Sequence, residues 1–310
     1  MGKPRVGWIG TGVIGGACAK RLADAGYPLS VTTRTRAKAA PALEAGAIWK
    51  NSAAEVAAES DVVFSCVGYP TDVQEVFFGE QGVLSQWTKE SHVADKIYVD
   101  MSTSSPELAI KIADAAKKHG FQALDAPVSG GDVGAQNGTL SIMIGGDEEP
   151  AQRIHPILAV LGTNIRRQGP SGAGQRTKLA NQILISGSMI GVCEALLYAY
   201  KAGLDPENVL ASVATGAAGS WSLSNYAPRI LRGDYEPGFY VEHFVKDMKL
   251  ALEDAHRLEL ALPGLSLVRD LYDALSKRGG ARMGTQALIL TLAELSGVDA
   301  FHQQSGGAAN

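Results

Sequence analysis

Cysteine is scarce: Cys18, Cys66 and Cys193 are the only three in 310 residues. They are odd in number, far apart and form no CxxC or Cys/His ligand pattern. That excludes a disulfide framework or a zinc-finger-type site and fits buried free thiols in a reducing compartment. Histidine offers no ligand pattern either. The six residues His92, His119, His155, His243, His256 and His302 show no HExxH spacing, so no metal is expected. Excess positive charge is also missing. A formal net charge of −4 provides neither a basic field for nucleic acid nor a polybasic patch for a membrane. No stretch approaches the roughly 18 uninterrupted apolar residues of a membrane span; Ile183–Ala195 is too short and carries Glu194. The chain runs from Gly2 to Arg5 straight into an apolar strand pattern, without the basic-then-apolar order of a secretory signal. The expectation is a cytoplasmic protein with no nucleic-acid or membrane partner.

Glycine, by contrast, is abundant at 36 residues, many beside apolar segments, where it serves tight turns and close backbone approach. Hydrophobic residues make up 45% and charged residues 19%, as in ordinary globular chains, and the length suits two domains. The first half alternates strand and helix patterns. Arg5–Ile9, Leu29–Thr33, Asp61–Val67, Ile97–Met101, Gln122–Ala126 and Thr139–Gly145 read as strands; Val13–Ala25, Pro106–Lys118 and Glu149–Leu161 read as helices. That alternation predicts a Rossmann-like α/β domain over 1–171 whose mostly parallel sheet is covered on both faces. From Gly174 onward the patterns are helical, predicting an all-α domain over 172–310. A long helix over Thr177–Ala202 links the two, and Glu207–Thr215, Val241–Leu258, Leu265–Lys277 and Thr285–Ser296 follow. The turn-forming Gly169–Gly174 run marks the boundary, and the tail from Gln303 is expected to fray.

Gly10-Thr11-Gly12-Val13-Ile14-Gly15 matches GxGxxG, and it sits between an apolar strand and an amphipathic helix. The first glycine permits the turn, the second clears space for a pyrophosphate and the third lets helix and strand pack closely. Free N–H groups at the helix N-terminus then face the phosphate. About 20 residues on, where an acidic residue would bind the ribose diol of NAD, the sequence has Thr33-Arg34-Thr35, with Lys38 one turn later. A guanidinium pairs with a 2′-phosphate through two parallel hydrogen bonds, so NADP(H) is expected over NAD(H). The alternative is a solvated basic surface turn.

Three further segments complete a set. Asp125-Ala126-Pro127-Val128-Ser129-Gly130-Gly131 follows a strand. Gly172-Ala173-Gly174-Gln175-Arg176-Thr177-Lys178-Leu179-Ala180-Asn181-Gln182 opens the long helix. Phe239, then Lys246-Asp247, lies in a later helical region. With the glycine fingerprint and Asp100-Met101-Ser102-Thr103, this order resembles the β-hydroxyacid dehydrogenase family. The resemblance spans nearly the whole chain. That family includes 3-hydroxyisobutyrate dehydrogenases, tartronate semialdehyde reductases and glyoxylate/succinic semialdehyde reductases.

The resemblance implies roles that chemistry can support. Lys178 matches the family's catalytic lysine, whose ammonium can protonate a carbonyl oxygen and whose amine can take the proton back in reverse. Ser129, Gly130 and Gly131 match the anchor for a substrate carboxylate, with bare backbone N–H groups and a hydroxyl as donors. Asn181 shares a helix face with Lys178. Many relatives carry their Asn four residues after the lysine, where this chain has Gln182, so either side chain can be the one that touches substrate. Phe239 and Asp247 match positions lining the active site. Lys246 matches a position contacting the cofactor, and Thr103 one near the nicotinamide; Val67, closing its strand, completes the cofactor set. The implied reaction is reversible NADPH-dependent reduction of a short aldehyde acid to its hydroxy acid, in a homodimer or homotetramer. Imine reductases share the fingerprint but typically lack the lysine, and the 6-phosphogluconate dehydrogenases are much longer. A non-catalytic NADP-binding scaffold would be expected to lose Lys178 or the Ser-Gly-Gly anchor.

Overall fold

Short apolar segments dictate the first half of the molecule. The computed structural model describes residues 2–89, 93–299 and 301; His92, His302 and the tail from Gln303 lie outside the described residues. The chain forms two compact units, Met1–Lys178 and Leu179–Asn310.

In the first unit, β1 (Val6–Ile9), α1 (Val13–Asp24), β2 (Leu29–Thr32), α2 (Ala40–Glu44), β3 (Ile48–Trp49), α3 (Ala53–Ala58) and β4 (Val62–Ser65) come first. Next are α4 (Pro70–Phe78), α5 (Val83–Trp87), β5 (Ile97–Asp100), α6 (Pro106–Lys118) and β6 (Gln122–Asp125). The unit closes with β7 (Val128–Ser129), α7 (Gly131–Asn137), β8 (Leu140–Gly145), α8 (Glu148–Leu158) and β9 (Gly162–Gly169). The sheet order is β3-β2-β1-β4-β5-β6-β8-β7, with β9 on β8. Strands β1 to β6 pair in parallel. The last part departs from that pattern: β8 runs antiparallel to β6 and β7, and β9 is parallel to β8. The connection from β7 to β8, holding only the short α7, is too brief for a parallel crossover.

Side chains alternate across the sheet with period two. Trp8, Phe64, Val99 and Leu124 face one core, with Leu22 of α1 and Ile154 of α8. Ile9, Val63, Tyr98 and Ala123 face the other, with Phe77, Trp87 and Ile112. Both faces are therefore covered, which accounts for strands that read as continuous apolar runs. Strand β9 carries Arg166, Arg167 and Gln168 on an exposed run, so no apolar alternation announces it. Strand β3 has only two residues.

Helix α9 (Ala173–Lys201) starts four residues before the expected Thr177. The cause is Asp125 at the end of β6. Its buried carboxylate accepts from the backbone N–H of Gly172 at 2.7 Å and of Gln175 at 2.8 Å, satisfying donors that a helix start leaves open. The first turns of α9 thus belong to the first unit, and the division at Lys178 falls inside the helix. By length and a mean hydropathy of 1.6, α9 is also long and apolar enough to cross a membrane, although polar and charged residues interrupt its apolar run. Its Leu179, Met189, Val192, Cys193 and Leu196 instead pack into the core of the second unit.

That unit continues with α10 (Pro206–Val213), α11 (Trp221–Leu231), α12 (Val241–Arg257), α13 (Pro263–Lys277) and α14 (Leu288–Leu295), around Phe244, Met248 and Tyr272. Helix α11 was not anticipated, because Pro228 interrupts its pattern. Ser220 nevertheless caps it, accepting from Leu223 N, and Leu223, Tyr226 and Ile230 bury one face.

Trp87 is fully buried, donates from Nε1 to Ala57 O at 2.9 Å and meets Phe121 edge-on at 5.0 Å. Trp87→Ala should lower the stability of the first unit by about 3–5 kcal/mol in urea unfolding. A loss below ~1 kcal/mol would contradict this packing.

Candidate active site

The order β3-β2-β1-β4-β5-β6 reverses direction between β1 and β4, and in such sheets ligands bind beyond the carboxyl ends of the strands at that switch. The residues singled out in the first unit fall at those ends. Gly10 follows β1 with φ +96°, and a Cβ there would lie 2.3 Å from the carbonyl oxygen of Cys66. A Cβ on Gly15 would lie 2.2 Å from the Gly10 carbonyl oxygen. Both glycines are thus required by the chain's own packing. Gly12 is different: a Cβ there would meet nothing within 4 Å. Its bare backbone opens space before the N-terminus of α1, where no acidic side chain occupies the first turn. Thr11 is buried beside it, and its Oγ1 has no partner among the described residues. Val13 is exposed and Ile14 half-buried. An open helix N-terminus, a bare glycine and an unsatisfied hydroxyl fit a phosphate-bearing cofactor.

Beyond β2, Thr33 is half-buried and Arg34, Thr35 and Lys38 are exposed. The sequence near β2 holds no carboxylate, yet the fold supplies one. Asp72 in the first turn of α4 places Oδ1 3.2 Å from Arg34 Nη1, while its Oδ2 accepts from Tyr69 N. Pro70 and Asp72 signal a helix start, but nothing local links them to Arg34. The pair is solvent-exposed on the arginine side and so contributes little to stability.

Beyond β4 and β5 lies a buried polar cluster. Asp100 Oδ1 accepts from Ser65 Oγ at 2.8 Å and Ser102 N at 3.0 Å; Ser65 Oγ is also 2.7 Å from the Tyr98 hydroxyl. Val67 N donates to Ser102 Oγ at 2.9 Å, so the segments carrying Val67 and Thr103 are joined. Burial pushes the Asp100 carboxyl up to about 6, against the hydrogen bonds from Ser102 and Ser65. Ser129 ends β7 opposite Ser141, and Gly130 and Gly131 follow with φ of +131° and +64°. Two successive left-handed residues need glycine and turn the backbone sharply into α7. Lys178 lies on α9, only 7% exposed.

In the second unit the structure joins four of the expected residues. Asn181 Nδ2 donates to Gln182 Oε1 at 2.8 Å, and Gln182 Nε2 donates to Asp247 Oδ2 at 2.8 Å. Lys246 Nζ lies 3.1 Å from Asp247 Oδ1. Gln182 is buried and engaged at both ends of its amide, whereas Asn181 is half-buried. Phe239, just before α12, stacks near the ring of His243 at 6.4 Å. His243 was not singled out from the sequence, although it lies three residues before Lys246 on the same helix. Burial, then the Lys246 ammonium, holds its imidazole below the usual range. Among the described residues, no group of three or more His, Cys, Asp or Glu side chains is placed to hold a metal ion.

Two family models match. Residues 5–169 fit the NAD binding domain of 6-phosphogluconate dehydrogenase. Residues 172–292 fit the NAD-binding domain of NADP-dependent 3-hydroxyisobutyrate dehydrogenase. An uncharacterized oxidoreductase of Bacillus subtilis is 52% identical over 92% of this chain and 98% of its own length. The 2-hydroxy-3-oxopropionate reductase of Escherichia coli is 40% identical over 93% of this chain and 97% of its own. Among solved structures, a Mycobacterium tuberculosis 3-hydroxyisobutyrate dehydrogenase with L-serine superposes with a TM-score of 0.84. It shares 28% identity and covers 94% of this chain and 99% of its own.

The raised Asp100 value has a consequence for stability. Unfolded, this carboxyl ionises near 3.9; folded, it holds its proton to about 6. Its contribution to stability therefore falls as pH rises from about 4 to 6 and is constant above. Asp100→Asn keeps an acceptor for Ser65 and Ser102 and lacks this loss. Urea unfolding from pH 4.5 to 7 should show the variant gaining on the wild type by about 2 kcal/mol. A constant difference would contradict the assignment.

Proposed function

Because the chain belongs to the β-hydroxyacid dehydrogenase family of oxidoreductases, we propose that it interconverts a short aldehyde acid and its hydroxy acid, using NADP(H) and Lys178 as general acid/base. The observation that carries this reading is Lys178 itself: a lysine residue only 7% exposed, on the helix that opens beyond the ends of the sheet strands. A lysine with a purely solvating role would face water.

When bound, the nicotinamide supplies or accepts the hydride. The protein's part is to bind, orient and move one proton. Gly10, Thr11, Gly12, Val13, Ile14 and Gly15 take the pyrophosphate at the N-terminus of α1. Thr33, Arg34, Thr35 and Lys38 take the 2′-phosphate; Arg34 gives up or shares Asp72 to do so. Val67, Thr103 and Lys246 serve the cofactor side. The backbone at Ser129, Gly130 and Gly131, with the serine hydroxyl, holds the substrate carboxylate. Lys178 Nζ donates its proton to the carbonyl oxygen as the carbon is reduced, and recovers it in the reverse direction. On the substrate side, Asn181 makes the direct contact and Gln182, locked on Asp247, holds Asn181 in place; Phe239 and Asp247 complete that side. The similarity to a 2-hydroxy-3-oxopropionate reductase supports a small aldehyde carrying a carboxylate as substrate. A cytoplasmic homodimer or homotetramer is the assembly that goes with this reading.

Lys178→Ala should lower kcat by at least a hundredfold while NADPH affinity, read by fluorescence titration, stays within about twofold. Near wild-type turnover on glyoxylate, succinic semialdehyde or tartronate semialdehyde would remove the lysine from the reaction. Arg34→Ala should weaken NADPH by roughly 10- to 100-fold, the worth of charge-assisted hydrogen bonds, and leave NADH nearly unchanged. Equal losses for both coenzymes would contradict a 2′-phosphate site.

A further inference from the structure

Gln175 is fully buried, and its carboxamide is spent entirely on the segment beyond β5. Its Oε1 accepts from Ser104 N at 2.9 Å, and its Nε2 donates to Ser102 O at 2.8 Å. The two bonds grip the backbone on either side of Thr103. Gln175 is itself fixed, because its backbone N–H donates to Asp125 Oδ2 at 2.8 Å while Gly172 N donates to Oδ1 at 2.7 Å. Space for this arrangement comes from two glycines. A Cβ on Gly145 would sit 2.4 Å from Asp125 Oδ1, and one on Gly174 would sit 2.3 Å from Met143 O. Lys178 follows Gln175 by three residues on α9, on the same side of the helix.

We propose that Gln175 is a positioning residue of the reaction: its carboxamide clamps the Ser102–Ser104 backbone and so fixes Thr103 against the helical turn that carries Lys178. This rests on the reading of Lys178 and Thr103 given above. Few side chains can replace it. The clamp needs one acceptor and one donor on the same planar group, which a carboxamide has and a carboxylate lacks. Loss of the clamp leaves the cofactor's phosphate cradle at Gly10–Gly15 untouched, because none of these bonds reaches it. The clamp therefore acts chiefly on the rate of the chemical step: of the cofactor-side residues it holds Thr103 directly, while the Gly10–Gly15 cradle and the Arg34 turn lie outside its bonds.

A titratable replacement tests this. In Gln175→Glu, a protonated carboxyl restores both bonds, its C=O accepting from Ser104 N–H and its O–H donating to Ser102 C=O. Once ionised it cannot donate and faces the Ser102 carbonyl oxygen. Burial and the nearby carboxylates of Asp125 on β6 and Asp100 on β5 favour the protonated form, and Lys178 on its own helix opposes them. The ratio of variant to wild-type kcat should be near one at the acid end. It should fall tenfold or more as pH rises, with NADPH affinity and far-UV circular dichroism constant throughout. Gln175→Met, which fills the space and makes neither bond, should lose kcat at least tenfold at every pH with NADPH affinity kept. A ratio for Gln175→Glu that is already low at the acid end, or Gln175→Met within twofold of wild type, would overturn the clamp. So would a loss of rate that simply follows loss of NADPH binding or of fold. Lys178→Ala measured alongside separates the two readings: if it keeps turnover, the proton-donor reading fails. If it abolishes turnover while Gln175→Met does not, only the clamp fails.

Discussion

Asp125 sets where the long helix begins, and much of the molecule follows from that. A carboxylate buried at the end of β6 is costly unless its lone pairs are filled. Here the N–H groups of Gly172 and Gln175 fill them. These are the donors that the start of α9 would otherwise leave open. The two needs cancel, and the helix start is held at the carboxyl end of β6. Burial still raises the Asp125 carboxyl above its ordinary value, with the Gly172 and Gln175 bonds opposing the shift. The anchor is therefore hydrogen-bonded backbone.

From that anchor the arrangement spreads along the carboxyl ends of the strands. Gln175 reaches the segment after β5; Ser102 in that segment reaches Val67 after β4; Gly10 and Gly15 pack against Cys66 beside it. Each tie is short and most are buried, so the loops that would hold a dinucleotide are fixed before any ligand arrives. Preorganised donors of this kind reduce the cost of ordering a site at the moment of binding. The exception is the Arg34–Asp72 pair, which is exposed on the arginine side.

Much of this was legible in the sequence, and the reasons differ by element. Strands buried on both faces announce themselves as apolar runs, so β1, β2, β4, β5, β6 and β8 were found. Strand β9, an exposed strand rich in arginine, was not, and the antiparallel turn of β8 rests on a short connection that composition does not reveal. The glycine fingerprint could be placed because its strand and helix flank it directly. The site residues expected in the second unit came from the family resemblance; in the structure Asn181, Gln182 and Asp247 are linked by hydrogen bonds and Lys246 pairs with Asp247. Asp72 beside Arg34, and Gln175 across from Thr103, depend on contacts between residues distant in sequence, and periodicity carries no trace of them.

The most direct test of the account follows one atom. NADPH carrying deuterium at one face of nicotinamide C4 is incubated with the protein and glyoxylate, succinic semialdehyde or tartronate semialdehyde, and the hydroxy acid is examined by mass spectrometry. The account predicts a product with a single deuterium on the carbinol carbon from one of the two C4-labelled coenzymes. Tight NADPH binding with no deuterated product from any of the three aldehydes would contradict it.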